Sequence, residues 1–388
     1  MSTPEPTPRK SGPLAGLKII EMAGLGPVPL AGLILSELGA RVLRIERISK
    51  DQAFLIAPVE FDLDRHGRDI VRVDLKRREG IELMLRLVGE ADCLIEGFRP
   101  GAMERLGLGP DVALATNPAL VYGRMTGFGQ EGPLANRAGH DLTYLALSGV
   151  LHAIGPKGGK PVPPLNLVAD YGGGAMFLIV GVLAALFERG RSGKGQVVDA
   201  AMVDGAAMLA APFFAFLAAG IWKDRRGVNL LDSGTPFYDT YGTADGKHVA
   251  VACLEPQFFA EFARLLPLEQ RFARAQYDTR LWPEMRQAIA SRLIERSRDE
   301  WAALFEGTDA CVAPVLSLAE APSHPHAQAR KAHAKIGAMT RPQPAPRFSR
   351  SEPQVSGLPA TDPAVALASF GISPEEIAAL ASMGIVGR

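Results

Sequence analysis

The chain has 388 residues, 47% of them hydrophobic and 22% charged, enough for two or three domains of ordinary globular balance with a large buried core. Lys+Arg and Asp+Glu each number 42, so a global basic field for nucleic acid or an anionic membrane is excluded. The three cysteines, Cys93, Cys253 and Cys311, are odd in number and far apart. That spacing is neither a disulfide framework nor a metal site, and it fits a reducing, cytoplasmic setting.

Residues 1–12 are polar and Pro-rich, lack the apolar core of a secretory signal, and read as a flexible lead-in. Strand–helix alternation follows. A buried strand at 17–22 leads through a Gly/Pro loop to a helix at 30–38. Strands at 41–46 and 69–75, a helix at 79–88, and strands at 93–96 and 119–125 continue the series. Strands separated by helices require right-handed crossovers and a parallel sheet. The middle reads as helical at 141–148, 171–189 and 198–219. The uncharged stretches 171–187 and 206–222 fall short of the roughly 20 residues a bilayer span needs. Gly172, Gly173 and Gly174 open the first and Pro212 interrupts the second, so both read as core helices with no membrane partner.

From about Arg226 short strands at 235–241 and 247–253 flank a hairpin-type turn at Asp245-Gly246. Helices at 256–265 and 283–296 follow, and the capping box Ser297-Arg298-Asp299-Glu300 opens another. This is a second, smaller α+β domain at 226–332, after a large domain at 13–225. Six prolines between 342 and 363 mark an extended linker. A last helix begins at Ser373-Pro374 with a Ser cap and acids in its first turn. The economical course for the segment 333–388 is a return to the large domain.

The segment 18–46 imitates a dinucleotide site: a strand, Gly24-Leu25-Gly26, a helix, and a second strand ending at Glu46. Pro29 stands where the third glycine of that fingerprint belongs, and Pro27 removes an N–H that a phosphate cradle needs. A parallel-sheet unit without nicotinamide is the better reading. The pair His324 and His326 has no accompanying ligand cluster and reads as a solvated loop, so no metal is expected.

Two places join a titratable side chain to a helix start: Gly139-His140-Asp141, and Val168-Ala169-Asp170 before three glycines. A helix N-terminus offers unpaired N–H groups suited to a developing oxyanion. Two such groups on opposite sides of a carbon acid could remove a proton from one face and return it to the other. Taken alone, an Asp before a helix is most often a plain cap, and local pattern leaves both readings open.

Gly139-His140-Asp141 together with Pro163-Pro164-Leu165-Asn166-Leu167-Val168-Ala169-Asp170-Tyr171-Gly172-Gly173-Gly174 resembles the α-methylacyl-CoA racemases of the family III CoA-transferase (CaiB/BaiF) superfamily. The resemblance runs from about Leu14 to Phe348 and includes Glu96-Gly97-Phe98-Arg99-Pro100-Gly101, Gly193-Lys194-Gly195-Gln196 and Leu254-Glu255-Pro256. It implies a Rossmann-like large domain that binds CoA, a small domain, and an interlocked homodimer. It implies His140 and Asp170 as bases for the two faces of the α-carbon, and Asp141 at the position of the transferase nucleophile, with its backbone N–H near the thioester oxygen. Glu255 is implied as an acid supplied across the dimer to the His, and Arg47, Leu75, Lys76, Arg99 and Arg105 as lining the CoA site. The implied reaction is cofactor-independent epimerisation of 2-methylacyl-CoA, a step of lipid metabolism. The alternative is CoA transfer through an Asp141 thioester intermediate; a base for each face favours the epimerase. In place of the Asn-Arg or Asn-Lys pair common in that family before the third strand, this chain has Arg65-His66-Gly67-Arg68-Asp69, and 49–61 matches no motif.

Overall fold

A computed structural model describes residues 11–48, 58–358 and 362–387. Most of the expected lead-in at 1–12 and much of the unmatched stretch 49–61 therefore fall outside it. The chain divides into two compact units. Unit 1 is Met1–Ser148, Leu165–Leu209 and Gln328–Arg388; unit 2 is Gly149–Pro164 and Ala210–Ala327. This corrects the boundaries expected at 225/226 and 332/333. The smaller unit also takes 149–164, and its second stretch starts at Ala210.

Unit 1 is built on strands β1 (Lys18–Met22), β2 (Arg41–Arg47), β3 (Arg68–Val73), β4 (Cys93–Glu96), β5 (Val121–Thr126), β6 (Gln196–Ala201) and β7 (Val386–Gly387). The sheet order is β7-β3-β2-β1-β4-β5-β6. Strands β1 to β6 pair in parallel, with Ile19 beside Val42 on one side and Cys93 on the other; β7 pairs antiparallel with β3. The chain runs outward from β1 through β3 and then restarts at β4 on the opposite side. Such a reversal opens a crevice between the carboxyl ends of β1 and β4.

Helices α1 (Pro27–Glu37), α2 (Arg78–Glu90), α3 (Asp141–Leu147), α4 (Met176–Ser192) and α5 (Met202–Leu209) flank the sheet. Pro27 and Pro29 sit in the first turn of α1, where a missing N–H costs nothing. On α2, Leu83, Met84, Leu87 and Val88 recur at helical spacing and pack with Ile20, Leu43, Val71, Leu94 and Tyr122. The C-terminal helices Pro363–Ala368 and Pro374–Ser382 add Leu367, Ile377 and Leu380 to the same cluster, and the turn between them adds Phe370.

Two middle elements differ from the sequence reading. Residues Leu167–Ala175 form a π-helix that passes into α4, so the helix expected at 171–189 is two elements. The predicted helix at 198–219 is strand β6, then α5, then a helix at Ala211–Ala218. A short apolar run carries no periodicity that separates a buried strand from a helix. The stretch Leu167–Ser192 is, among the described residues, the one helix long and apolar enough to reach across a bilayer.

Unit 2 holds a three-stranded antiparallel sheet, Tyr238–Gly242, His248–Ala252 and Val312–Pro314. Its core gathers Phe237, Phe259, Phe262, Trp301 and Phe305. The Ser297 capping box is formed, with Glu300 Oε2 accepting from Ser297 N at 2.8 Å.

Behind β1 lies a buried ion cluster. Glu21 is fully buried, bonded to Arg68 Nε at 3.0 Å through one oxygen and to Arg44 through the other. Arg68, equally buried, also donates to Leu63 O at 2.9 Å, His66 O at 2.8 Å and Pro29 O. The unusual 65–69 segment is thus fastened to α1 and β1 by one guanidinium. Stranding a buried charge costs about 3–5 kcal/mol; because Glu21 keeps Arg44, that range is an upper bound for losing Arg68. Arg68→Met is expected to destabilise the fold by at most that amount in urea denaturation, with an unchanged m value.

Candidate active site

Helix α3 starts where the loop after β5 ends. His140 is its N-cap, in extended backbone, with its ring exposed. Thr143 Oγ1 accepts from His140 N at 3.0 Å and donates to His140 O at 2.7 Å. That local pairing fixes the backbone from which the imidazole projects.

Asp141, the first helical residue, is 5% exposed. Its Oδ2 accepts from Ala169 N and Asp170 N, each at 2.8 Å. Its Oδ1 is buried and meets no donor among the described residues. A carboxylate engaged and enclosed in this way is not free to attack a thioester. The expectation of Asp141 as the transferase nucleophile therefore gives way; the half-buried carboxylate of the cluster is Asp170.

Asp170 sits inside the π-helix, an irregular turn of a kind often found at functional sites. Asn166 Nδ2 donates to its Oδ2 at 3.3 Å. Burial pushes the Asp170 carboxyl above its ordinary range, and the Asp141 charge pushes the same way; the Asn166 bond and His140 oppose them. The π-helix is packed at backbone distance. A Cβ on Gly173 would come within 2.5 Å of Ala206 N, where α5 crosses. The Gly24–Gly26 turn, unsuited to a dinucleotide, closes on this site instead. Gly26 has φ +73° and its Cβ position is 3.5 Å from Asp170 Oδ2. The candidate ribose acid Glu46 is taken up by Arg44 at 3.5 Å, Arg65 at 3.1 Å and Arg72 at 3.6 Å.

Tyr144, one turn into α3, stands edge-on to Phe128 at 5.0 Å. Its hydroxyl is pushed up to about 12, mainly by burial, with Asp170 and Asp141 adding to the shift and Arg99 opposing it. Arg99 therefore lies within electrostatic reach of the cluster.

The expected CoA-lining residues all follow carboxyl ends of parallel strands. Arg47 ends β2, Leu75 and Lys76 follow β3, Arg99 follows β4, and Arg105 closes the short helix Ala102–Arg105. The four cations are exposed, and half-buried Leu75 packs on the core. They fall on both sides of the β1/β4 reversal. Buried Glu96 braces one side, accepting from Phe98 N at 2.7 Å and from Arg124 Nε at 3.1 Å. Arg124 also meets Glu104 at 2.8 Å.

Glu255 belongs to unit 2, exposed at the N-cap of the helix Pro256–Leu265. Unit 1 itself brings together His140, Asp141 and Asp170. Sequence reasoning assigned no role to Asn166, Tyr144 or Gly26. The i,i+4 spacing of Asn166 and Asp170 was the available signal for the first; the other two depend on tertiary approach.

The family model for CoA-transferase family III matches residues 14–365. The chain is 43% identical over 380 residues to alpha-methylacyl-CoA racemase of Mus musculus, covering 96% of this chain and 97% of that one. It is 40% identical over 382 residues to alpha-methylacyl-CoA racemase of Homo sapiens, with the same coverage. The crystal structure of a CAIB/BAIF family protein from Brucella suis superposes with a TM-score of 0.80 at 26% identity, covering 94% of this chain and all of that one.

The Asn166 bond favours the ionised form of Asp170, opposing part of the upward shift from burial. Asn166→Ala is expected to move the Asp170 titration to higher pH, read from its ¹³C carboxyl shift. A midpoint that stays put or falls would refute the contact.

Proposed function

This chain belongs to CoA-transferase family III, and from that premise we propose that it interconverts the two epimers of 2-methylacyl-CoA thioesters. The observation that carries the reading is the pairing of His140 with Asp170. They come from two different helix starts, while the intervening carboxylate of Asp141 is spent on backbone amides. For one epimer, neutral His140 takes the α-proton. The electron pair moves into the thioester carbonyl as an enolate, and protonated Asp170 delivers its proton to the opposite face. For the other epimer the same steps run in reverse. Atoms and charge balance with proton transfer alone, so the reaction as written uses no metal, nicotinamide or other cofactor.

An acid that must give up and regain a proton in successive turnovers works best with a pKa near the working pH. The upward shift of Asp170 is in that direction. The Asp141 amide, at the first helical position, has no acceptor one turn earlier. We assign it as a donor to the enolate oxygen, where losing one such donor typically costs ~10²–10³ in rate. Arg47, Lys76, Arg99 and Arg105, with Leu75, form the proposed CoA site. Guanidinium and ammonium contacts to phosphate would hold the nucleotide and position the acyl carbon.

We further propose a homodimer, in which Glu255 of one subunit steadies His140 of the other. The apolar exposure of Val180 and Phe187 on α4 in unit 1 supports such an interface, as does that of Phe214, Leu217 and Ile221 in unit 2. We read these faces as contact between copies, with no membrane or nucleic-acid partner. The unpaired Cys93, Cys253 and Cys311 support a cytoplasmic location.

In D₂O, one epimer of a 2-methylacyl-CoA is expected to lose configuration and take up one α-deuterium, followed by NMR. His140→Ala and Asp170→Ala should each slow this by about 10²–10⁴-fold. No exchange by a CoA-binding protein, together with hydroxylamine-sensitive acyl transfer onto Asp170, would instead establish the transferase. Sedimentation velocity tests the dimer, and a monomer at micromolar concentration would exclude it.

A further inference from the structure

We infer that Asp141 is a positioning residue whose buried carboxylate locks the backbone of Asp170 to the helix start that carries His140, so that the two proton-transfer groups are held in one frame. The inference rests on the epimerisation reading and assigns a side chain that the reaction itself leaves unused.

An aspartate at the first position of a helix ordinarily stays exposed and serves its own helix dipole. This one instead reaches 28 and 29 residues along the chain to two consecutive amides. Those amides belong to the opening turn of the π-helix, where no preceding turn supplies a carbonyl. Without Asp141 they would be left without that acceptor, in a place where Ala169 is fully buried. Two charge-assisted bonds to one oxygen therefore fix the peptide from which the Asp170 side chain departs. The same residue's backbone is continuous with His140, which Thr143 pins from the other side.

The second oxygen shows that more than a clamp is built here. Among the described residues Oδ1 is buried without a donor, a costly state for a carboxylate. An asparagine carbonyl would accept both amides without that charge. The charge acts on Asp170, whose ionised form it disfavours. The groups bearing on Asp170 can be named element by element. Helix α3 presents His140, Asp141 and Tyr144, and the π-helix contributes neutral Asn166. Gly26, α5 through Gly205 and Ala206, and α1 through Pro27 bring no charge to the π-helix. Burial is the main cause of the raised Asp170 proton affinity, and the Asp141 charge adds to it while Asn166 and His140 oppose it; Asp141 thus tunes that affinity as well as fixing the position.

Two variants separate the roles in the full-length protein. Asp141→Asn keeps the acceptor and removes the charge; Asp141→Ala removes both. Amide hydrogen exchange of the peptide covering 167–175 reads the clamp independently of activity. Protection should be retained in Asp141→Asn and lost in Asp141→Ala. Rates measured from each epimer separately read the charge. In Asp141→Asn the acid limb for the direction in which Asp170 removes the proton should move to lower pH, because a removed anion no longer holds the carboxyl protonated. The limb for the direction in which His140 removes the proton should stay. Asp141→Ala should lose about 10² in kcat in both directions, with KM within about threefold.

Wild-type protection in Asp141→Ala would overturn the clamp. An unmoved acid limb in Asp141→Asn, or equal shifts in both directions, would overturn the charge role. If Asp141→Ala does not fold, loss of protection in folded Asp141→Asn would overturn the clamp in its place. If wild-type protein exchanges no α-proton, the epimerisation reading fails while hydrogen exchange still decides the clamp.

Discussion

Parallel strands joined by right-handed crossovers must all leave the sheet on the same edge, and the chemistry of unit 1 is arranged on that edge. Arg47, Leu75-Lys76 and the Arg99 loop each follow a strand's carboxyl end, and β5 leads into the loop that ends at His140. The reversal between β1 and β4 then separates neighbouring strand ends and leaves a crevice there. Little further design is needed to place exposed cations on the same edge as His140. The missing dinucleotide fingerprint has a positive counterpart. With Pro27 and Pro29 starting α1, the first turn offers few amides to a pyrophosphate, and Gly26 is free to close on Asp170.

Precision on that edge comes from buried carboxylates used as pins. Glu21 ties β1 to Arg44 and Arg68, Glu96 ties the Phe98 amide to Arg124, and Asp141 ties two helix starts together. Burying a charge with its partner gains little net stability, whereas separating the two is expensive. Such groups therefore define geometry more than they add free energy. Each pin spans segments distant in sequence, which suits residues whose task is to fix loops to a sheet.

Sequence sufficed where the signal was local. The strand–helix alternation gave the first five strands within two residues, because buried β-rich runs and amphipathic helices such as α2 differ in period. The Ser297 box and the Ser373 cap were readable because capping is set within four residues. It failed at β6 and the π-helix, both apolar throughout. There the deciding facts are the pairing of Gly123 with Val198 and the backbone contact of Gly173 with α5. The site divides along the same line. His140 and Asp170 stood out as titratable groups at helix starts. The use of Asp141 did not, because its partners are 28 residues away and are backbone atoms, which sequence does not distinguish.

One fold in this family carries two chemistries, so the choice rests on the site. A carboxylate nucleophile must be ionised whenever substrate arrives, and any upward shift of its pKa reduces that fraction. An epimerase acid must be protonated for one substrate hand and ionised for the other, so the same shift brings it closer to the required balance. Asp170 has the features of the second case: partial burial and the neighbouring Asp141 carboxylate raise its proton affinity, against the Asn166 amide and His140. A transferase would be served by the reverse arrangement, with the anion removed and more donors aimed at the attacking oxygen. His140 completes the contrast, since displacement at a carbonyl needs no second base on the far face of the α-carbon. The electrostatics of Asp170 and the placement of His140 therefore point to the same reaction from independent directions.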